Sequence, residues 1–430
     1  MTQRLDTRVS ARFLARGKAT LARQARVRIL APLARSAEKA LDRTVFSSNP
    51  FVRKGLTACL RAFRCRLLLI EKGLRLSTWS VVGTDGRGTQ RRLFYAGEQE
   101  ALKWFASLVL PGGFVEEPLQ PVGFRGLRKL VEERRADHDL VALEVNRLLL
   151  PWAAAGGALR SIPRWVRMKL PLAATWEEMQ RQLRKSALTQ VRAVRNREFS
   201  SDTTRDPAAF QEFHEQLYLP FVQTRYGEDS IPARRKDLER YFRSGWLLRI
   251  FEKGDWVAGA LLTASRTHGR CVVLGVRGGD PGLIARHALK AVYCFMVRWA
   301  IDLKLVELDV GRVRPLLEDG VFRHKRGWGG VVSADPWEEA KLLVAGGRDT
   351  SFLNEWSDRH SVIEDRDGRL VGRVRLPCPL PIDAEALENL RHRFSTPGLD
   401  SVEIVGSDNA VGMLPCAEES RSSDRAVIST

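Results

Sequence analysis

The chain has 430 residues, 44% of them hydrophobic, enough for two or three domains with packed cores. Its net charge of +19 and isoelectric point near 10.2 imply an anionic partner: nucleic acid, a coenzyme, a cell-wall polymer or a membrane surface. The sequence shows no run of about 18 apolar residues that would cross a membrane, and no compact apolar stretch before a small-residue cleavage site. Cys59, Cys65, Cys271, Cys294, Cys378 and Cys416 are scattered, which argues against a disulfide framework or a zinc site and for a reducing, cytoplasmic setting.

Residues 1–58 carry thirteen Lys or Arg against three acids, a net +10 that is about half of the whole excess. Arg4, Arg8, Arg12 and Arg16 recur beside Leu5, Val9 and Phe13, so a helix here is basic along one stripe and apolar along the next. Such an arm either lies on an anionic membrane surface through residues 1–46, peripheral to the inner face, or is a solvated, partly disordered extension.

Beyond it the pattern is globular. Residues 67–70 and 77–82 read as strands of a hairpin turning at Lys72-Gly73, 99–110 as a helix halted by Pro111-Gly112-Gly113, and 141–145 and 165–172 as further strands. Residues 176–199 read as one long basic helix, with Thr175 as N-cap and Met179, Leu183, Leu188, Val191 and Val194 as an apolar stripe. Its cations are either a solvated face or a contact for an anionic substrate. A second helix, 207–226, ends at Gly227, and Pro220 is expected to kink it.

Residues 246–252 and 256–264 form a hairpin across Lys253-Gly254-Asp255, and 271–276 is a third strand. The turn Arg277-Gly278-Gly279-Asp280-Pro281-Gly282 then leads into a helix over 283–302. Amides at such a helix N-terminus, with glycines that allow close approach, suit a pyrophosphate, although Asp280 adds a repelling charge.

Residues 305–330, LVELDVGRVRPLLEDGVFRHKRGWGG, organise the rest. Leu305, Val306, Leu308 and Val310 alternate with Glu307 and Asp309 as a strand ending at Gly311, and the two acids fall on one face. Then come Arg312, Arg314, Arg323, Lys325 and Arg326, interleaved with Phe322 and Trp328 and closed by Gly327, Gly329 and Gly330. The combination fits a pocket for an anionic ligand, or a plain basic loop before a glycine-rich turn.

The pattern D-x-G, a loop with an Arg, a glycine, then F-[RK]-x-K-[RK]-x-[WF]-G resembles the C-terminal signature of the FemAB-like branch of the GNAT acyltransferase superfamily. It is carried here by Asp309, Gly311, Arg312, Gly320, Phe322, Arg323, Lys325, Arg326, Trp328 and Gly329. His324 and Gly327 depart from it, and the 277–282 turn departs from the superfamily's Q/R-x-x-G-x-G/A order.

The resemblance implies an α/β (α+β), GNAT-like fold of two tandem lobes, each with a mixed central sheet. A reduced lobe would span 59–172 and an acyltransferase lobe 173–350. An α/β extension over 351–406, with a hairpin near Asp367-Gly368, a helix over 383–394 and a strand over 401–405, precedes a disordered Ser/Asp/Glu-rich tail over 407–430. The implied activity is transfer of an acyl group from acyl-CoA, without metal, to an amine or hydroxyl on a sugar, amino acid or cell-envelope precursor. Aminoacyl-tRNA is the alternative donor, and a non-catalytic scaffold on an anionic surface is a third reading.

In these terms Arg277, Gly278, Gly279 and Gly282 would hold the donor. Arg225 and Tyr226, in FHEQLYLPFVQTRYG, would join Arg312, Arg323, Lys325 and Trp328 in binding substrate. Asp309 or Glu307 would act as base or orient a water. A carboxylate among cations is a poor base, however, and Asp309 could equally pin Arg312 or Lys325. His138, His214, His268, His287, His360 and His392 show no metal-ligand spacing, and Cys271 and Cys294 read as inert small hydrophobes.

Overall fold

The computed structural model describes residues 55–56, 58–60, 62–63, 65–66, 75–150, 153, 159–227, 232–336 and 338–416. The basic stripe over residues 4–16, the strand expected at 67–70 and the tail beyond 416 lie outside them. The architecture is mixed α/β, in two compact units. The first runs to Ser161 and takes back Pro336–Leu353; the second comprises Ile162–Asp335 and the chain from Asn354.

In the first unit, Arg75–Thr84 (β1), Gln90–Gly97 (β2), Phe114–Gly123 (β3) and Leu140–Asn146 (β4) share a six-stranded sheet with Arg160–Pro163 (β5) and the returning strand Ala340–Gly346. Its order is β3, β1, β2, β4, Ala340–Gly346, β5. The helix Gln99–Val109 buries Leu102, Phe105 and Val109 and stops before Pro111, as its periodicity predicts. The strand expected at 77–82 lies in β1, which pairs with β2 across residues 85–89 and with β3 on its other side; the Lys72-Gly73 turn expected before it lies outside the described residues. Asp85 Oδ1 accepts from the amides of Arg87 (2.8 Å) and Thr89 (3.0 Å), and a short carboxylate tying two amides fixes a turn that Lys-Gly only permits.

The second unit holds Val166–Pro171 (β6), Phe199–Thr204 (β7), Trp246–Glu252 (β8), Asp255–Ala264 (β9), His268–Val276 (β10), Glu307–Val313 (β11) and Val331–Ala334 (β12). They form a seven-stranded sheet of order β12, β6, β11, β10, β9, β8, β7. Neighbours run antiparallel except β10 and β11, which are parallel and joined through the helix Ala288–Asp302. That helix lays Ala291, Val292, Met296, Val297 and Ala300 into the core. Because β6 pairs with β11 and β12, the unit begins before residue 172.

Three helix expectations change. The 176–199 helix is two helices, Trp176–Gln182 and Lys185–Arg195, and Phe199 opens β7. The break at Leu183 and Arg184 is tertiary: Arg184 N bonds Gly327 O (3.1 Å), a partner more than a hundred residues away. The 283–302 helix breaks at His287, which adopts φ 80. Over 207–226 the helix widens to a π turn, Phe213–Tyr218, just before Pro220. There Gly275 of β10 lies so close that a Cβ would stand 2.7 Å from Leu217 O.

The C-terminal strands Ile363–Arg366, Arg369–Arg375, Ser401–Val405 and Val411–Pro415 form a four-stranded sheet. Ile363, Leu370, Val374, Phe394 and Ile404 pack into the second unit's core. Asp383 caps the helix Ala384–Phe394 by accepting from Ala386 N (2.7 Å). Within the tail expected from residue 407, Val411–Pro415 is a strand; it buries mainly Leu414, a pattern too short to signal a strand.

Candidate active site

The site is built around a parting of two strands. β10 and β11 pair only through His268 with Glu307, Gly269 with Leu308 and Arg270 with Asp309. Beyond these, β11 follows β6 with a register shift between Asp309 and Arg312, whereas β10 stays beside β9 to Val276. Among the described residues no strand lies beside the free edge of β10 from Cys271 onward. Val272, Val273 and Leu274 are only half-buried there, although β10 is an interior strand of its sheet. The strand expected to end at Gly311 continues to Val313. Gly311 adopts φ 85, a conformation L residues avoid, with Lys325 Nζ 4.0 Å from where a Cβ would stand.

The root of this fork is ionic and buried. Asp309 accepts from Arg167 Nη1 through one oxygen and from Gly311 N (2.8 Å) through the other. Arg167 Nε also reaches Asp335 (3.4 Å), whose second oxygen lies 2.5 Å from Arg312 Nε. Burial pulls the Arg167 pKa down, but Asp309 and Asp335 outweigh it and hold it above its usual value. Glu307 pairs with Lys169 Nζ (2.6 Å). Both candidate bases are therefore engaged, and Asp309 pins Arg167 rather than Arg312 or Lys325. Sequence reading missed Arg167 and Asp335, since Arg167 lies 142 residues from Asp309.

Lys325 lies on a helix, Gly320–Gly327, where a basic loop was one expectation. Asp319 caps that helix by accepting from Val321 N (2.9 Å) and Phe322 N (3.0 Å). Lys325 is 5% exposed, and its Nζ donates to the Arg312 carbonyl (3.1 Å). Burial pushes its pKa down to about 8, against the pull of Cys271 and Asp309. The Cys271 thiol is pushed up to about 12 by burial, so an ammonium ion and a neutral thiol share the root at neutral pH.

The neighbouring groups are mainly structural. His324 is held neutral, pushed down to about 4 by burial and then by Lys325, Lys290 and Arg225. It meets Tyr293 edge-on at 4.4 Å between centroids. Trp328 is fully buried, 5.8 Å from Tyr293, and so is a core residue. Arg225 is exposed on the helix Leu219–Tyr226 and adds to the lowering of the His324 pKa. Arg323 is exposed on the outer side of its own helix.

The Arg277–Gly279 turn closes the far end of β10. Arg277 Nε donates to the Trp256 carbonyl (2.6 Å) and Nη2 pairs with Glu212 (2.6 Å). Gly278 and Gly279 have positive φ, and a Cβ on Gly279 would stand 2.4 Å from Thr224 Oγ1, so this glycine serves helix packing. Asp280 accepts from Gly282 N (2.7 Å), and the amide expected to face a pyrophosphate is thereby capped from within. Beside the turn opens a cleft of about 790 Å³ lined by the cations Arg197, Lys253, Arg277 and Arg286, the acids Glu198, Glu252, Asp255 and Asp280, and Trp256; Glu252 pairs with both Arg197 (3.4 Å) and Arg286 (3.3 Å). Arg197 belongs to the basic 176–199 stretch, whereas Lys253 and Arg286 had no motif to mark them as ligand contacts.

No family model and no curated protein matches the chain. Among solved structures it is similar to FemX, with 11% identity over 69% of this chain and 93% of that one and a TM-score of 0.34. It is also similar to L-PGS from Bacillus licheniformis, with 10% identity over 64% and 86% and a TM-score of 0.31. A tandem GNAT protein from the clavulanic acid biosynthesis pathway shares 13% identity over 60% and 78%, with a TM-score of 0.26. At such scores the function has to be read from this chain's own residues. Among the described residues no helix is long and apolar enough to cross a membrane, and no group of three or more His, Cys, Asp or Glu could hold a metal ion.

Proposed function

We propose that the second unit is an acyltransferase lobe of the GNAT type that takes its acyl group from a coenzyme A thioester. The observation that carries this is the parting of β10 and β11, which leaves an interior strand edge beside half-buried aliphatic side chains. A pantetheine arm is extended, largely apolar and carries two amides, so it would bond that edge as an added strand does. From Cys271 to Arg277 the strand covers roughly 20 Å, comparable to such an arm. The thioester would then sit at the root beside Lys325, and the phosphates at the cleft holding Arg197, Lys253, Arg277 and Arg286.

An acceptor amine or hydroxyl adds to the thioester carbon, the C–S bond breaks, and the thiol leaves with the proton the acceptor loses. Lys325, as a buried ammonium, stabilises the developing oxyanion, and burial strengthens that interaction. Asp309 and Glu307 hold Arg167 and Lys169 in place. Arg225 offers an exposed cation to an anionic acceptor such as an envelope precursor.

Titration of the full chain with acetyl-CoA, and separately with aminoacyl-tRNA, tests the proposal. Saturable acetyl-CoA binding that Arg277→Gln weakens supports it. Saturable binding of tRNA instead would replace the donor, and binding of neither would leave a scaffold.

A further inference from the structure

The helix Gly320–Gly327 presents cations on two sides. Lys325 reaches the fork, while Arg323 and Arg326, three residues apart, share another face. Arg326 is 8% exposed, and its Nη1 is fully buried without a hydrogen-bond partner among the described residues. Leaving a guanidinium N–H unsatisfied in the interior is costly. Its surroundings make the cost larger: burial, then the charges of Arg184, Arg323 and Arg393, push its pKa down to about 10, and Glu318 opposes this.

Arg184 ties the cluster together. Its amide bonds Gly327 O (3.1 Å), and its guanidinium bonds His392 O (3.0 Å) and Ser395 O (2.9 Å), so two helix C-termini meet there. Arg393 pairs with Glu318 at 2.8 Å. The charges can be summed. Four guanidinium groups face one carboxylate, and two helix C-termini supply about half a negative charge each. About two positive charges are left over, with one of the four cations lacking a partner for a buried N–H.

We propose that Arg184, Arg323, Arg326 and Arg393 form a binding site for a phosphate dianion, free or as a monoester, on the side of the Gly320–Gly327 helix away from the fork. A dianion balances the excess charge, and guanidinium forks match its oxygens. The bound group would also join Gly320–Gly327 to Ala384–Phe394, fastening the C-terminal extension to the sheet's helices.

Thermal melting of the full chain in inorganic phosphate, against chloride at matched ionic strength, reads the site. The expected result is a saturable rise of about 2 to 4 °C that Arg326→Gln abolishes and Arg393→Gln reduces. Glycerol 3-phosphate distinguishes the sources: saturation at lower concentration than inorganic phosphate assigns a monoester, and equal saturation assigns the free ion. Identical melting in phosphate and chloride overturns the proposal, as does an unchanged response in Arg326→Gln. Should Arg326→Gln fail to fold, the exposed pair Arg323→Gln and Arg393→Gln carries the test, and a wild-type response in that double variant refutes the site.

Discussion

The first unit's sheet holds the parallel pair β2 and β4, the second unit's seven-stranded sheet holds the parallel pair β10 and β11, and these two pairs end in opposite ways. In the first unit β2 and β4 pair through Leu93 with Leu140 up to Ala96 with Leu143, and all eight residues over these spans are fully buried. Just past the last pair the gap is filled. The Glu144 carboxylate accepts from Tyr95 Oη (3.2 Å) and Glu98 N (2.8 Å), and a Cβ on Gly97 would stand 2.5 Å from Glu144 Cβ. In the second unit the strands diverge after three pairs, the aliphatic residues beyond stay half-buried, and the root holds the Lys325 ammonium beside the ionic layer of Arg167, Asp309 and Asp335. A parallel pair is thus a neutral scaffold. The residues just past its last hydrogen bond decide whether it becomes core or cleft.

The largest expected effect comes from removing that ammonium. Lys325→Met should lower acyl transfer by about 100-fold or more, the usual loss for an oxyanion donor, while melting no lower than wild type because it removes a buried charge. A measured loss of stability without loss of turnover would place Lys325 in the scaffold. The same group sets a pH dependence. Transfer should fall as pH rises through about 8, where Lys325 gives up its proton, and Lys325→Arg should flatten that limb. Folding lowers this pKa from 10.5 to about 8, so the unfolded chain binds more protons between those values. Wild-type stability should therefore rise with pH across that window, and Lys325→Met should lose the rise.

Next in size is Asp309→Asn. It leaves Arg167 with one buried carboxylate in place of two and should cost about 3 kcal/mol in denaturant unfolding. The smallest effect tests the closed pair: Glu144→Gln should cost about 1 kcal/mol and leave transfer unchanged, as the loss of one charge-assisted bond in a scaffold should.

The contrast between the units also marks what the sequence made legible. The hairpin of β8 and β9, the crossover to β11 and the cap at Thr175 rest on local chemistry, namely alternation, a Lys-Gly-Asp turn and a hydroxyl three residues before an amide. The cations of 312–326 were visible as residues, but their burial was not. Periodicity treats Lys325 as polar, and only the depth of the fork makes it a buried charge. The ion layer of Arg167, Asp309 and Asp335 and the break at Arg184 depend on partners far along the chain, for which a single sequence carries no local mark.

The central claim is that the free edge of β10 receives the donor. Hydrogen exchange of the full chain with and without acetyl-CoA addresses it directly, with the amides of 271–276 compared with those of 93–96. The account predicts fast exchange at the edge-facing amides of 271–276, slowed at least about tenfold by the donor, and no change over 93–96. Equal exchange over 271–276 with saturating donor would contradict it.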